Sequence, residues 1–236
     1  SLAEGPAVSA PNGKLDLAAA MQDYNRAIIV GSNSLGKASM QSIVPLDRSQ
    51  QDFVKLTLEK FYRVTGDSNQ IKGVVPDIAL PILYDSIVQR ETSYKTALKY
   101  DKINTKARFN SFRRDYYPTL IAQSDARLKN NPRFKEIIMA NQEINALYND
   151  PKKPLRVAFK DVFNDVHAID ILWKKVKKIT ASETNCVISN NSYDLGKLQF
   201  DAFQQENNTF KINDLKTNPY LEEAVAISND FNNLKK

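Results

Sequence analysis

The hydrophobic pattern of this chain changes character at about Pro81, and this change limits the fold more than any other feature of the sequence. Before this point, short runs rich in Val, Ile, Thr and Phe predict strands at "RAIIVG", at "ASMQSIVPL" and over residues 52–66. Pro76 and Pro81 then predict that "VVPDIALP" is extended, because proline has a fixed φ and lacks an N–H. Strands that come first and helices that come later predict an α+β fold.

Helical patterns dominate the rest of the chain. Residues 82–98 carry apolar residues close to a helical stripe, and residues 116–150 predict two helices that are separated at Asn130-Asn131-Pro132. Further helices are predicted at "LDLAAAMQDYN" (residues 15–25), "AFKDVFNDVHAIDILWKKVKKI" and "NPYLEEAVAISNDFNNL". We therefore predict two domains, over residues 1–81 and 82–236.

Composition excludes several classes of function. The chain has 236 residues, of which 42% are hydrophobic and 25% are charged, and no apolar run is long enough to cross a bilayer. Cys186 is the single cysteine, which excludes a Cys₄ or Cys₂His₂ zinc site. His167 is the single histidine, so a Ser-His-Asp triad would have to use it, and its sequence context favours a structural role. No metal site is predicted.

The net charge of +6 is unevenly distributed. Residues 95–136 contain eleven Lys or Arg against four Asp or Glu, with aromatic residues between them. This pattern is typical of a solvated helical face and also fits a nucleic-acid surface. Because the second interpretation depends on charge and aromatic content alone, no nucleic-acid partner is expected.

The segment "IIVGSNSLGKASMQ" has the spacing of a phosphate-binding loop, with Gly31, Gly36 and Lys37 in the sequence G-x-x-x-x-G-K. Such a loop continues with Ser or Thr, whose hydroxyl binds magnesium, and with a helix whose first N–H groups meet the phosphates. Here Ala38 follows the lysine, and Pro45 comes within two turns. We therefore predict no nucleotide cofactor.

Lys37 then has two interpretations. It is a surface lysine on a turn, or it is a lysine with a chemical function, since it follows a glycine and a buried strand. A lysine amine that is removed from water has a lowered pKa and, in its neutral form, can take the proton of a serine hydroxyl. This pairing is the Ser-Lys alternative to the histidine triad.

The string "AAAMQDYNRAIIVGSNSLGKASMQ" resembles the segment that carries the catalytic lysine in carboxy-terminal processing peptidases, also called tail-specific proteases. The resemblance continues over residues 54–81. It is weaker in "NPRFKEIIMANQEINAL" and "NPYLEEAVAI", which resemble the helical C-terminal domain of the long periplasmic branch of that family. It implies a partial α/β serine-peptidase core, strand-rich over residues of about 15–82, followed by a mainly α-helical C-terminal region.

The resemblance also implies roles for three residues. Lys37 would be the general base, Gln41 would hydrogen-bond near the lysine and orient it, and Asp23 would support the site. On this basis we expect the Lys37 amine to be mostly buried and within hydrogen-bond reach of the Gln41 side chain.

The activity that the resemblance implies is that of a serine endopeptidase, a hydrolase with a Ser/Lys dyad and no cofactor. Its substrates would be polypeptides recognised near the C-terminus. An adaptor protein would dock on the helical domain, and the protein would be periplasmic, with peripheral contact to the bacterial cell envelope.

The nucleophile is where this sequence departs from the family. The family places its serine eleven residues before the aspartate, and Asn12 stands at that position. Ser9 is the nearest hydroxyl, but using it requires a shift of three residues, and Pro11 and Gly13 indicate a rebuilt turn. This chain by itself is therefore expected to be inactive.

Three explanations stay open for the missing serine. The chain is a fragment whose start is not continuous with the native active-site segment, a natural member that lost its nucleophile, or a protein that uses another hydroxyl. We favour the first. The rival interpretation is a catalytically inactive, protease-like binding or scaffold protein.

Overall fold

The computed structural model describes residues 12–48, 51–105, 108–149, 151, 154 and 156–235, with backbone only for residues 12–16. These residues form two compact units. Unit one lies within Ser1–Ile82 and Val88–Asp115, and unit two lies within Leu83–Ile87 and Tyr116–Lys236. The domain boundary between residues 81 and 82 stays a prediction.

Unit one combines a helix with two small sheets. Helix α1 spans Asn12–Asp23, and the strands are β1 (Val30–Gly31), β2 (Ser39–Pro45), β3 (Phe53–Lys60) and β4 (Ile78–Ala79). Strands β1 and β4 pair in parallel, while β2 and β3 form an antiparallel hairpin with an irregularity between Met40 and Gln41. Each of these strands lies in a segment for which the sequence predicted extended structure, and those predictions are confirmed.

Asp77 fixes the beginning of the β1 strand. Its side chain is 4% exposed and accepts hydrogen bonds from the Ile29 N–H at 2.9 Å and from Arg114 at 2.6 Å. The Asp77 N–H in turn donates to the Ile29 carbonyl at 2.7 Å. Because the polar groups of Ile29 and Asp77 are paired with each other, β1 pairs with β4 in a single register.

The helix expected over residues 82–98 is wrong, since the segment contains only single turns of 3-10 helix at Asp85–Ile87 and Glu91–Ser93. Tyr84 has a φ of 69°, which a helix does not allow. The Leu83 N–H donates to the Tyr220 hydroxyl at 2.7 Å, and the Tyr84 N–H donates to Asn141 at 2.8 Å. The apolar residues also divide between the two units, so they form no single face.

Unit two is helical, which confirms the mainly α-helical C-terminal region. Its helices are α2 (Tyr117–Asn130), α3 (Pro132–Asn149), α4 (Phe159–Ala181), α5 (Ser192–Leu198), α6 (Ala202–Lys216) and α7 (Pro219–Leu234). The predicted interruption at residues 130–132 is confirmed, since Asn131 is extended and its side chain accepts the Arg133 N–H at 2.9 Å.

The core of unit two lies between α3 and α4. One face of α3 is apolar at helical spacing, and it packs on the last turns of α4. The buried members of this cluster are Leu83, Phe134, Ile137, Ala140, Ile144, Leu172, Val176 and Ile179.

Helices α2 and α7 are joined through a buried carboxylate. The Glu223 side chain is 5% exposed and accepts hydrogen bonds from Arg127 at 2.8 Å and from the Ser124 hydroxyl at 2.7 Å. Arg127 also pairs with Asp230. Arg127, one of the basic residues in the range 95–136, therefore has internal partners that stabilise the fold.

Replacing Tyr220 by phenylalanine is expected to destabilise unit two by about 1–3 kcal/mol at neutral pH, since the Leu83 N–H loses its acceptor. Burial also raises the pKa of the Tyr220 hydroxyl, so above pH 10 the folded chain keeps a proton that the unfolded chain has lost. Stability from this group is complete below pH 10 and falls as the pH rises.

Tyr220→Phe should therefore reduce the fall in the free energy of unfolding above pH 10. It should not abolish this fall, because burial also raises the pKa of Tyr84. Urea unfolding between pH 7 and 11 measures both effects. Trp173, the single tryptophan, packs against Tyr84 and reports on this unit by fluorescence. If the free energy of unfolding of Tyr220→Phe depends on pH as in the wild type, Tyr220 is not the group that causes the fall in stability above pH 10.

Among the helices that the structure describes, none combines the length and apolar character that a bilayer crossing requires.

Candidate active site

Lys37 lies on the loop of residues 32–38 between β1 and β2, which we call the lysine loop. Gly36 has a φ of 86°, and a Cβ atom on this residue would lie 2.7 Å from the Ile71 carbonyl oxygen. The Ile71 N–H donates to the Gly36 carbonyl at 2.7 Å. Only glycine fits this close contact, which fixes the backbone directly before Lys37.

A turn at residues 68–74 lies against the first half of the lysine loop. The Ser34 N–H donates to the Val74 carbonyl at 3.1 Å, and the Ser34 hydroxyl accepts the Val74 N–H at 2.7 Å. Gly73 has a φ of 68°, and a Cβ there would lie 2.5 Å from the Ser34 carbonyl oxygen. The two segments therefore pack backbone to backbone.

The Lys37 side chain is partly buried, and it makes no hydrogen bond or ion pair with any residue that the structure describes. The residues that follow, Ala38 and Ser39, are 3% and 2% exposed. The residues on both sides of Lys37 are thus buried, while the Lys37 amine has no partner within the described part of the chain.

Gln41 faces the neighbouring strand. Its side-chain amide donates to the Thr57 hydroxyl at 3.2 Å, and Gln41 and Thr57 are opposite each other in the β2–β3 hairpin. The hydrogen bond expected between Gln41 and Lys37 is absent from the described residues. The catalytic role of Gln41 stays a prediction.

Asp23, the last residue of α1, is bound by Arg63 from the turn that follows β3. The Arg63 guanidinium donates to both carboxylate oxygens and to the Gln22 side chain at 3.0 Å. The Asp23 and Arg63 side chains are 7% and 17% exposed. Asp23 thus joins α1 to the end of the hairpin, and it forms no hydrogen bond or ion pair with Lys37 in the described structure.

The start of α1 is where the nucleophile was expected. Helix α1 begins at Asn12, and Ser9 lies outside the described residues. The prediction that this chain lacks a recognisable nucleophilic serine stays a prediction.

Two carboxylates hold the turn after β3. Hydrogen bonds from Lys60 and Tyr62 lower the pKa of Asp101, and hydrogen bonds from Lys102 and Tyr100 lower the pKa of Asp67. Both carboxyls protonate less readily when folded, so their stabilising contribution is complete above pH 4 and is lost as the pH falls further.

Sequence reasoning missed Gln70 and Glu91. Gln70 lies in a segment that reads only as turn chemistry, and Glu91 lies in the segment wrongly predicted to be a helix. Both are buried, and a hydrogen bond joins their side chains across 21 residues of sequence. No local pattern reveals such a contact.

The described residues contain no group of three His, Cys, Asp or Glu side chains arranged to hold a metal ion.

Residues 14–80, which include the lysine loop, match the family described as Peptidase family S41. Residues 84–233, more than half of the chain, match the description "C-terminal domain of tail specific protease". The chain therefore belongs to the tail-specific protease family, and the resemblance seen in the sequence is confirmed.

Two curated relatives agree with this assignment. The chain is 29% identical over 205 residues to a tail-specific protease of Haemophilus influenzae, a match that covers 70% of this chain and 30% of that protein. It is 41% identical over 64 residues to a carboxy-terminal-processing protease of Bartonella bacilliformis, which covers 27% of this chain and 14% of that protein. The chain spans less than a third of the length of either relative.

Proposed function

We propose that the full-length protein that carries this chain is a serine endopeptidase, which cleaves polypeptides near their C-terminal ends with a Ser/Lys dyad. The observation that carries this proposal is the state of Lys37. Its backbone is fixed by Gly36 and Ile71, and its amine has no internal partner among the described residues. Such an amine is free to bind an incoming serine hydroxyl.

The proposed chemistry starts when the neutral Lys37 amine takes the proton of the serine hydroxyl, as the serine oxygen bonds to the substrate carbonyl carbon. The lysine ammonium then gives this proton to the leaving nitrogen, and the C–N bond breaks to leave an acyl-enzyme. Lys37 next takes a proton from water, whose oxygen attacks the ester. Release of the acid returns the proton to the serine oxygen.

Asp23 and Gln41 support this site indirectly in the proposal. Asp23 binds the Arg63 side chain. Two residues before Arg63, the Phe61 N–H donates to the Ala38 carbonyl at 2.9 Å. Gln41 ties the beginning of β2 to β3 through Thr57. Each contact stiffens the backbone that follows Lys37.

Substrates and partners follow from the same proposal. The substrates are polypeptides recognised near the C-terminus, and an adaptor docks on the helical unit, where large apolar side chains on α4 and α6 are exposed. The two relatives are bacterial proteins, and we propose a periplasmic location with peripheral contact to the cell envelope. No cofactor and no nucleic acid take part.

Cleavage assays with the full-length protein test the proposal. The substrate is an unfolded polypeptide with a free C-terminal carboxylate, and the control is the same polypeptide with an amidated end. We expect cleavage that favours the free carboxylate and that persists in EDTA, as measured by mass spectrometry of the products. Cleavage that EDTA abolishes contradicts the dyad.

A second candidate function is a catalytically inactive binding or scaffold protein, which Asn12 favours, because an amide does not attack a peptide bond as an alkoxide does. In the same assay, this function predicts a polypeptide that is bound but stays intact. The isolated 236-residue chain is expected to be inactive under either candidate.

A further inference from the structure

A buried polar pair, formed by Gln70 and Glu91, lies behind the lysine loop. Gln70 is 1% exposed and Glu91 is 8% exposed. The side-chain oxygen Oε1 of Gln70 accepts the Ala38 N–H at 2.8 Å, and the side-chain nitrogen Nε2 donates to the Glu91 carboxylate at 2.9 Å. The two partners fix the orientation of the amide, since a backbone N–H requires an acceptor and a carboxylate requires a donor.

Glu91 is a costly residue to bury. A carboxylate removed from water is strongly disfavoured unless a cation or several hydrogen bonds compensate for its lost hydration. Glu91 forms no ion pair with any residue in the described ranges, and within those ranges its side chain accepts a hydrogen bond only from the neutral amide of Gln70. Stability alone gives no reason for a carboxylate here.

The same segment also holds the other side of the lysine loop. The Glu91 N–H donates to the Leu35 carbonyl at 2.9 Å, and the Arg90 guanidinium donates to the Asn33 carbonyl at 3.3 Å. Glu91 therefore reaches the loop twice, directly at Leu35 and through Gln70 at Ala38. Lys37 lies between these two attachment points.

We infer that Gln70 and Glu91 are positioning residues for Lys37, which fix the loop backbone on both sides of the proposed base. The inference rests on the proposed function of Lys37. Glu91 lies within the range 84–233 that matches the C-terminal domain of tail-specific proteases, while Lys37 lies in the peptidase segment. A residue from the range that matches the C-terminal domain thus lies in unit one, the same compact unit as Lys37, and helps to set the geometry of the proposed site.

Swapping the residue types at positions 70 and 91 in the full-length protein tests the inference. Gln70→Glu places two carboxylates against each other in a buried site and is expected to push the loop away from its position. We expect kcat to fall about 10- to 100-fold, since displacement of about 1 Å at a reacting group has this effect, while KM changes less than about threefold. Adding Glu91→Gln restores an amide–carboxylate pair, and kcat should recover to within about threefold of the wild type.

The exchange distinguishes positioning from general destabilisation by two further readouts. Amide hydrogen exchange at Ala38 should accelerate in Gln70→Glu and slow again in the double variant, because the Ala38 N–H regains a fixed acceptor. The pH at which kcat is half-maximal should shift in the single variant and return in the double variant. Gln51→Glu, at an exposed position of the same unit, is the matched control and should behave as the wild type.

Four outcomes distinguish a failure of the inference from a failure of the proposed function. A folded Gln70→Glu protein with wild-type kcat and wild-type Ala38 exchange overturns the inference. So does a folded double variant that stays as slow as the single one. If Lys37→Ala still cleaves, the proposed function fails instead. If the full-length protein is inactive, the hydrogen-exchange pattern at Ala38 decides whether the pair holds the loop.

Discussion

Alanine at position 37 is expected to abolish peptide-bond cleavage by the full-length protein, with a loss in kcat/KM of about ten-thousand-fold. The loss is large because the proposed mechanism gives Lys37 both proton transfers, from the serine and to the leaving nitrogen. Folding should be nearly unchanged, since the Lys37 side chain is partly exposed and forms no hydrogen bond within the described residues. Product formation and circular dichroism measure the two effects.

Two variants control this result. In Lys37→Arg, the positive charge stays, but a guanidinium does not lose its proton at neutral pH, so the same loss is expected. Lys55→Ala removes an exposed lysine of β3 and should leave cleavage unchanged. Wild-type turnover in Lys37→Ala refutes the base role, and recovered activity in Lys37→Arg indicates that the charge alone matters.

The helices of unit two show what the sequence predicts well. The apolar residues of α3, among them Phe134, Ile137 and Ile144, recur at helical spacing, and all three are at most 1% exposed. The interruption at Asn131 was also predictable, because the proline that follows disfavours helical backbone at the preceding residue. These signals are local, and so they are present in the sequence.

The segment of residues 82–98 shows where such reasoning fails. Its apolar spacing fits a helix, but Tyr220 and Asn141, from distant parts of the chain, take the backbone N–H groups of Leu83 and Tyr84. Tertiary hydrogen bonds therefore decide the backbone here, against the local pattern. Helices α5 and α6 were not predicted from the sequence, and neither helix has a buried residue.

The candidate site also combines a feature that is visible in the sequence with contacts that are not. The sequence points to Lys37 through its place after a strand and a glycine and through its resemblance to the lysine of a known family, and its catalytic role stays a prediction. The surroundings of Lys37 could not be predicted, because Gln41 binds Thr57 across 16 residues and Asp23 binds Arg63 across 40. Side-chain partners at such separations depend on the completed fold, and a single sequence gives only the residue types.

Asp23→Ala is expected to lower the free energy of unfolding of unit one by about 3 kcal/mol, because it leaves the Arg63 guanidinium in a poorly hydrated site without its anion. Trp173 reports on unit two, so the change is measured by amide hydrogen exchange at Ala38 and its neighbours. Asp52→Ala, an exposed aspartate at the hairpin, should change stability by less than about 0.5 kcal/mol.

A double-mutant cycle with Arg63→Met separates a supporting role of Asp23 from a chemical one. If Asp23 acts through Arg63, each single variant and the double variant lose similar stability, and kcat per folded molecule falls by the same factor in all three. If Asp23 acts on the reacting groups, Asp23→Ala loses far more kcat than Arg63→Met does. The observed contacts favour the first result, since the Asp23 side chain is 7% exposed and, among the described residues, its carboxylate accepts side-chain hydrogen bonds only from Arg63.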